Sequence, residues 1–87
     1  MARRDYDRAE AIFRDQLQKR AEDHVTRFKL AEILSWTKRY DESLALYRII
    51  LAALPGDDQV RRRYALVLLW AGRTEESAAE LRRTLSK

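Results

Sequence analysis

Side chains that could carry acid–base, nucleophilic or metal chemistry are few and scattered along this chain. The single histidine, His24, stands at a predicted helix start, and no partner for a proton relay lies near it in the sequence. The chain has no cysteine, so neither a disulfide nor a thiolate metal site can form. No glycine-rich phosphate loop and no run with metal-ligand spacing occurs. The sequence therefore predicts no catalytic residue, no metal and no cofactor, and the chain is not expected to be an enzyme.

Arg61, Arg62 and Arg63 form the one strong run of charge. Such a run suits docking of an acidic partner or a phosphate. The alternative is a solvated face with local ion pairs. The 18 basic residues are interleaved with 14 acidic ones and the net charge is only +4, so RNA binding is a minor alternative and nucleic acid is disfavoured. The expected partner is a protein or peptide.

Neither a membrane span nor a leader is indicated by the hydrophobic pattern. No segment approaches the roughly 18 consecutive apolar residues that a spanning helix needs, so no membrane insertion is expected. The opening segment, MARRDYDRAEAIF, is charged from its third position and has no apolar centre of the kind found in signal peptides. The sequence leaves both the cytoplasm and a bacterial periplasm open as locations.

An internal repeat organises the chain, and its period is the spacing from Trp36 to Trp70. At this offset, ten positions of residues 24–53 are identical to their counterparts in residues 58–87. Tyr6 pairs with Tyr40 at the same offset. Such a fixed period is typical of repeat proteins, in which each unit buries its apolar face against the next. We interpret residues 1–23 as the second helix of a repeat, and residues 24–57 and 58–87 as two further repeats.

Turn residues divide each repeat into two helices. Pro55 and Gly56 end one helix and an aspartate begins the next, while Asp23 is the equivalent candidate cap one repeat earlier. Gly72 suits the position after a helix end, and Thr74 is predicted to cap the last helix. The fold class is therefore all-α, with antiparallel helix–turn–helix repeats and helices over residues 4–20, 24–37, 41–54, 58–71 and 75–86.

The pattern of residues within each unit resembles the tetratricopeptide repeat (TPR) family. The resemblance rests on the string Arg39-Tyr40-Asp41-Glu42-Ser43-Leu44, on Tyr47 and Pro55, and on the pairs Leu30-Ala31 and Tyr64-Ala65. The early tryptophan of the TPR first helix is replaced by Arg27 and Arg61. The string Leu34-Ser35-Trp36 is also similar to repeats of bacterial envelope proteins that assist polysaccharide export. The resemblance implies a right-handed α-solenoid whose first helices line a concave groove that binds peptides or proteins.

Two apolar sides on the first helix of each repeat indicate where a partner would bind. One side must pack within the repeat, and the other must meet a neighbour or a ligand. The predicted groove residues are Phe28, Glu32, Trp36, Arg62, Arg63, Leu66, Leu69 and Trp70. The alternative is that the two tryptophans only pack against each other or against the preceding helix.

Self-association is the second function that the sequence suggests. The first predicted helix has an apolar stripe, and the interpretation of residues 1–23 as half a repeat leaves that stripe without its partner helix. A homo-oligomer would cover it. The residues predicted for this contact are Tyr6, Ala9, Ile12, Phe13 and Leu17.

Overall fold

Five helices make up the computed structural model, which describes the backbone of residues 3–85 and the side chains of residues 5–83. They are α1 (Arg3–Lys19), α2 (His24–Trp36), α3 (Tyr40–Ala53), α4 (Asp58–Trp70) and α5 (Thr74–Leu85). The all-α fold class is confirmed, and every predicted bound within the described residues agrees with the observed one or differs from it by a single position. The predicted end at residue 86 lies outside the described residues. The division into units 1–23, 24–57 and 58–87 stays a prediction.

The helices α2 and α4 begin at equivalent aspartates. A side-chain oxygen of Asp23 accepts a hydrogen bond from the backbone N–H of Thr26, and Asp57 does the same for Val60, both at 3.1 Å. Each carboxylate therefore satisfies one of the backbone donors that a helix start leaves unpaired. The predicted cap at Asp23 is confirmed.

The predicted cap at Thr74 is wrong. Thr74 is already the first residue of α5, and the carbonyl of Arg73 accepts from the backbone N–H of Ser77 at 3.1 Å. At the start of α3 the carbonyl of Arg39 accepts in the same way from the backbone N–H of Ser43, and no side chain caps this helix. Acidic residues in the first turn of α3 and of α5 supply the negative charge that stabilises these helix starts.

The ends of α2 and α4 are also equivalent. Lys38 has φ = 64° and Gly72 has φ = 82°, so both lie in the left-handed region. The next residue donates its N–H back into the helix in each case, from Arg39 to the Leu34 carbonyl and from Arg73 to the Leu68 carbonyl, both at 2.8 Å. This is the Schellman arrangement, in which glycine is favoured because it carries no Cβ. Gly72 is confirmed in that position.

The core lies where α2, α3 and α4 meet. Each helix packs against its neighbours along the chain, and the buried cluster contains Ala31, Leu44, Tyr47, Ile50, Val60, Tyr64, Val67 and Leu68. Small residues bring the paired helices close together. The Ser43 hydroxyl donates to the Ala31 carbonyl across α2 and α3, and Ser77 donates to the Ala65 carbonyl across α4 and α5, both at 2.7 Å.

Charged residues attach α1 to the rest of the molecule. Arg39 binds Glu10 of α1 at 2.6 Å, while Arg14 of α1 binds Glu42 at 3.0 Å. Arg39 also binds Glu42, and the Arg39 guanidinium lowers the pKa of the Glu42 carboxyl below its usual value. Ion pairs of this exposure are weak singly, so α1 depends on the whole network together with its apolar contact with α2.

Candidate partner-binding groove

A groove runs between the two first helices of the repeats, α2 and α4. It consists of two adjoining cavities of about 390 Å³ and about 260 Å³, and Phe28 and Gln59 line both of them. The floor of the larger cavity is formed by Ile50 and Leu54 at the end of α3. The groove is therefore open to one side and has apolar residues at its base, as sites for peptide segments commonly do.

Phe28 is held in the groove by the core behind it. Its ring meets the ring of Tyr47 edge-to-face, with centroids 5.6 Å apart, and Tyr47 in turn lies 6.5 Å from the ring of Tyr64. These three rings connect α2, α3 and α4. Because Tyr47 is fully buried, Phe28 rests on a surface that cannot easily move and is suited to anchor an apolar side chain of a partner.

The Tyr47 hydroxyl lies in the interior beneath the groove. Among the described side chains it is a buried polar atom with no hydrogen-bond partner. Burial raises the pKa of Tyr47, and the negative charge of Glu32 raises it further. The phenol therefore stays neutral in the physiological range and contributes ring packing rather than charge.

The arginine run is divided among three roles by the helical geometry of α4. Arg61 points to α5, where it binds Glu80 at 2.8 Å, and it also donates to the Pro55 carbonyl at 2.8 Å. Arg63 lies across the groove from Glu32 at 3.7 Å. Arg62 is exposed at the edge of the smaller cavity. Arg61 and Arg63 therefore form local ion pairs, as the alternative interpretation of the run predicted. Arg62 is the member of the run whose charge is exposed.

Five of the eight predicted groove residues line the cavities. Glu32 lines the larger one, Phe28 lines both, and Arg62, Arg63 and Leu66 line the smaller one. Sequence reasoning missed part of the lining. The apolar residues Ile50 and Leu54, close to Pro55, were the signal that the sequence offered for it. Val25, Lys29 and Gln59 of α2 and α4, on the same stripes as the predicted residues, complete part of the lining, and the residues missed are His24, Ile50, Leu54, Asp57 and Val60.

The other three predicted groove residues lie outside the lining of the cavities. The ring of Trp36 packs against Tyr6 of α1, with centroids 6.0 Å apart, which agrees with the alternative of packing on the preceding helix. Leu69 and Trp70 lie on the C-terminal half of α4, and all three side chains are exposed. The prediction placed them in the groove because helical spacing alone does not show which exposed side of α4 faces α2.

The predicted self-association residues all lie on α1. Ala9, Phe13 and Leu17 are half-buried, as is Tyr6, and Ile12 is 56% exposed. In α3 the counterparts of Ala9 and Phe13, one repeat period later, are Ser43 and Tyr47, which are fully buried. Ala9 and Phe13 are thus less covered on α1 than their counterparts are on α3.

Metal-binding and membrane-spanning features are both absent from the described residues. No group of three histidine, cysteine, aspartate or glutamate side chains stands close enough together to bind a metal ion there. Within the same residues, no helix has the length and apolar character that crossing a membrane requires.

Comparison with known proteins agrees with this architecture. A family model described as tetratricopeptide repeat matches residues 1–62. The chain belongs to the tetratricopeptide repeat family. No curated protein and no solved structure matches it significantly. TPR proteins generally mediate protein–protein interaction, and their repeats are typically non-enzymatic scaffolds.

Arginines replace the early tryptophan in both TPR first helices of this chain. Arg27 is buried, donates to the Ala21 carbonyl and hydrogen-bonds the Nδ1 atom of His24. Arg61 donates to the carbonyl of Pro55, which is the counterpart of Ala21 in the next repeat. In this TPR protein the two arginines therefore anchor the turn before each first helix, and His24 is engaged by Arg27 at a helix start.

Proposed function

We propose that this chain is a protein–protein interaction module, not an enzyme, and that the groove between α2 and α4 binds a segment of its partner. The observation that carries the proposal is the composition of the groove. Phe28 and the half-exposed Leu54 offer apolar contacts, while Arg62 and Lys29 place positive charge at its edges. An aliphatic or aromatic anchor followed by an acidic residue complements this arrangement.

Selection of short random peptides on the purified protein tests the groove. Peptides that are enriched should carry an apolar anchor next to an acidic residue, and their binding should be measured by calorimetry. We expect Phe28→Ala to weaken binding by about tenfold or more, since anchor residues contribute more than about 1.4 kcal/mol. Arg62→Glu should weaken only those peptides that carry the acidic residue.

Two further variants make this test decisive. Val25 is the most exposed of the large apolar side chains that the structure describes, at 67%, so Val25→Glu changes the groove without touching the core. Ile49→Ala is the control, because Ile49 is 48% exposed on α3 and does not line either cavity. Peptides that bind all of these variants as well as the original protein would show that the groove is not the binding site.

Self-association through α1 is the second candidate, and the exposure of Ile12 favours it. Burying such an apolar surface in a second copy would stabilise a dimer. Sedimentation over a range of concentrations should then show a dimer that Ile12→Glu converts to a monomer, while Ile49→Glu leaves it unchanged. A chain that stays monomeric at the highest concentration reached would remove this candidate.

A further inference from the structure

The internal repeat shows which surface of the molecule a further helix would cover. Ser35 on α2 is 3% exposed, but Leu69, its counterpart on α4, is 49% exposed. Tyr47 on α3 is fully buried, but Leu81, its counterpart on α5, is 43% exposed. In both pairs the residue of the second repeat is apolar and exposed to solvent. Because the backbone of the two units follows the same pattern of caps and turns, this difference arises from what packs against each unit.

The helix α4 is what covers the earlier unit. Its residues Val60, Tyr64 and Val67 lie in one buried cluster with Leu44 and Tyr47 of α3. The counterparts of Leu44 and Tyr47 are Ala78 and Leu81 on α5, and both are exposed. The place that α4 occupies on α2 and α3 is therefore open on α4 and α5. We call the surface formed by Leu66, Leu69, Ala78 and Leu81 the C-terminal slot.

Charge at the edge of the C-terminal slot favours one kind of occupant. Arg62 of α4 occupies the position that Phe28 has on α2, and it is exposed. Where α4 meets α2, an ion pair between Arg63 and Glu32 crosses the contact. In the C-terminal slot the counterpart of Glu32 is Leu66, so the receiving side offers a cation and apolar groups but no acid at that position. An occupant with acidic residues beside its apolar stripe fits this surface best.

We propose that the C-terminal slot binds an amphipathic helix of a partner protein, in the place relative to α4 and α5 that α4 takes relative to α2 and α3. The apolar residues of that helix recur at the spacing of Val60, Tyr64, Val67 and Leu68, and acidic side chains lie next to them. Recognition of a helix by anchors at this spacing is a common mode of protein association. The C-terminal slot shares Leu66, and Arg62 at its edge, with the smaller cavity of the groove, whereas Leu69, Ala78 and Leu81 line neither cavity. The test therefore rests on Leu69 and Leu81, which the proposed function does not use.

The test uses two synthetic peptides and the whole protein labelled with ¹⁵N. One peptide has the sequence of residues 57–73, and the other carries Arg61→Glu, Arg62→Glu and Arg63→Glu in the same segment. We expect the acidic peptide to bind with a dissociation constant below about 1 mM, and to shift the amide signals of Leu69, Ala78 and Leu81. The unchanged, basic peptide should bind several-fold more weakly.

Variants of the protein decide whether the slot is responsible. The double variant Leu69→Glu with Leu81→Glu should abolish binding of the acidic peptide, whereas Ile49→Glu, which alters an equally exposed residue, and Val25→Glu in the groove should not. Absence of saturable shifts, shifts centred on Phe28, or binding that survives the double variant would each overturn the proposal. A dimer that the double variant dissociates would overturn it as well, because the occupant would then be a second copy.

Discussion

Lys38 has a backbone conformation that is unfavourable for any residue with a side chain. Its φ of 64° lies in the left-handed region, and its counterpart in the next repeat is Gly72 at 82°. A non-glycine residue pays about 1 kcal/mol for this conformation. We therefore expect Lys38→Gly to raise the free energy of unfolding by up to about 1 kcal/mol, as measured by urea denaturation followed by circular dichroism.

The reverse substitution is the matched control for Lys38. No atom lies within 4 Å of a Cβ placed on Gly72, so a side chain there meets open space and only the backbone conformation is penalised. Gly72→Lys should lower the free energy of unfolding by about 1 kcal/mol. If both substitutions left the stability unchanged, the left-handed turns would not be strained as we infer.

Asp23 links stability to pH through its capping role. The backbone N–H and the hydroxyl of Thr26 both donate to its carboxylate, and these bonds lower its pKa below the ordinary 3.8. The folded pKa is depressed, so the stabilisation is fully present above pH 3.8 and is lost as the pH falls through the folded value. Asp23→Asn keeps a good cap but cannot titrate.

The expected result is a difference that depends on pH. Between about pH 6 and about pH 3, the free energy of unfolding should fall more for the original protein than for Asp23→Asn, when both are measured by urea denaturation. The titration of Glu42 is common to both proteins and cancels in the comparison. A difference that stays constant over this range would show that the cap does not depend on the charge of Asp23.

At the scale of the helices, Arg61 connects α4 with α5 and with the turn before α4. Its side chain and that of Glu80 are only 14% and 16% exposed. Arg61→Met should lower the free energy of unfolding by about 1 to 3 kcal/mol, because the partly buried Glu80 and the Pro55 carbonyl lose a charged donor. Arg62→Met is the neighbouring control and should change it by less than about 0.5 kcal/mol.

The sequence predicts the helices well because their limits depend on local chemistry. Asp23 marks a helix start through its side-chain cap, and Gly72 marks a helix end through its left-handed φ. At Thr74 the sequence alone does not show whether Arg73 or Thr74 takes the cap position. The groove is predicted less completely. Whether Trp36 faces α1 or the groove depends on how helices are tilted against each other, and this follows from packing between residues distant in sequence. Likewise, the roles of Arg27 and Arg61 require the position of a turn carbonyl that spacing does not reveal.

At the scale of the whole molecule, burial is concentrated in the middle of the row of helices. Leu44, Tyr47 and Leu68, in α3 and α4, are fully buried, whereas the apolar side chains described in α1 are at most half-buried. Helices in such an array contact only their neighbours, so local opening begins at poorly covered ends. We expect amide hydrogen exchange to be slowest in α3 and α4 and fastest in α1 among the described helices.

Two substitutions of apolar residues, one at the end of the array and one in the core, should distinguish opening at one end from unfolding of the whole array. Phe13→Ala removes an apolar contact of α1 alone, so exchange should accelerate in α1 while α3 and α4 keep their protection. Leu44→Ala removes a fully buried side chain from the central helix, at a cost of about 2 to 5 kcal/mol, and should accelerate exchange in every helix that depends on this core. Equal acceleration in α1 and α4 after Phe13→Ala would contradict this account, because it would mean that the five helices open only together and that α1 supports the centre as strongly as the centre supports α1.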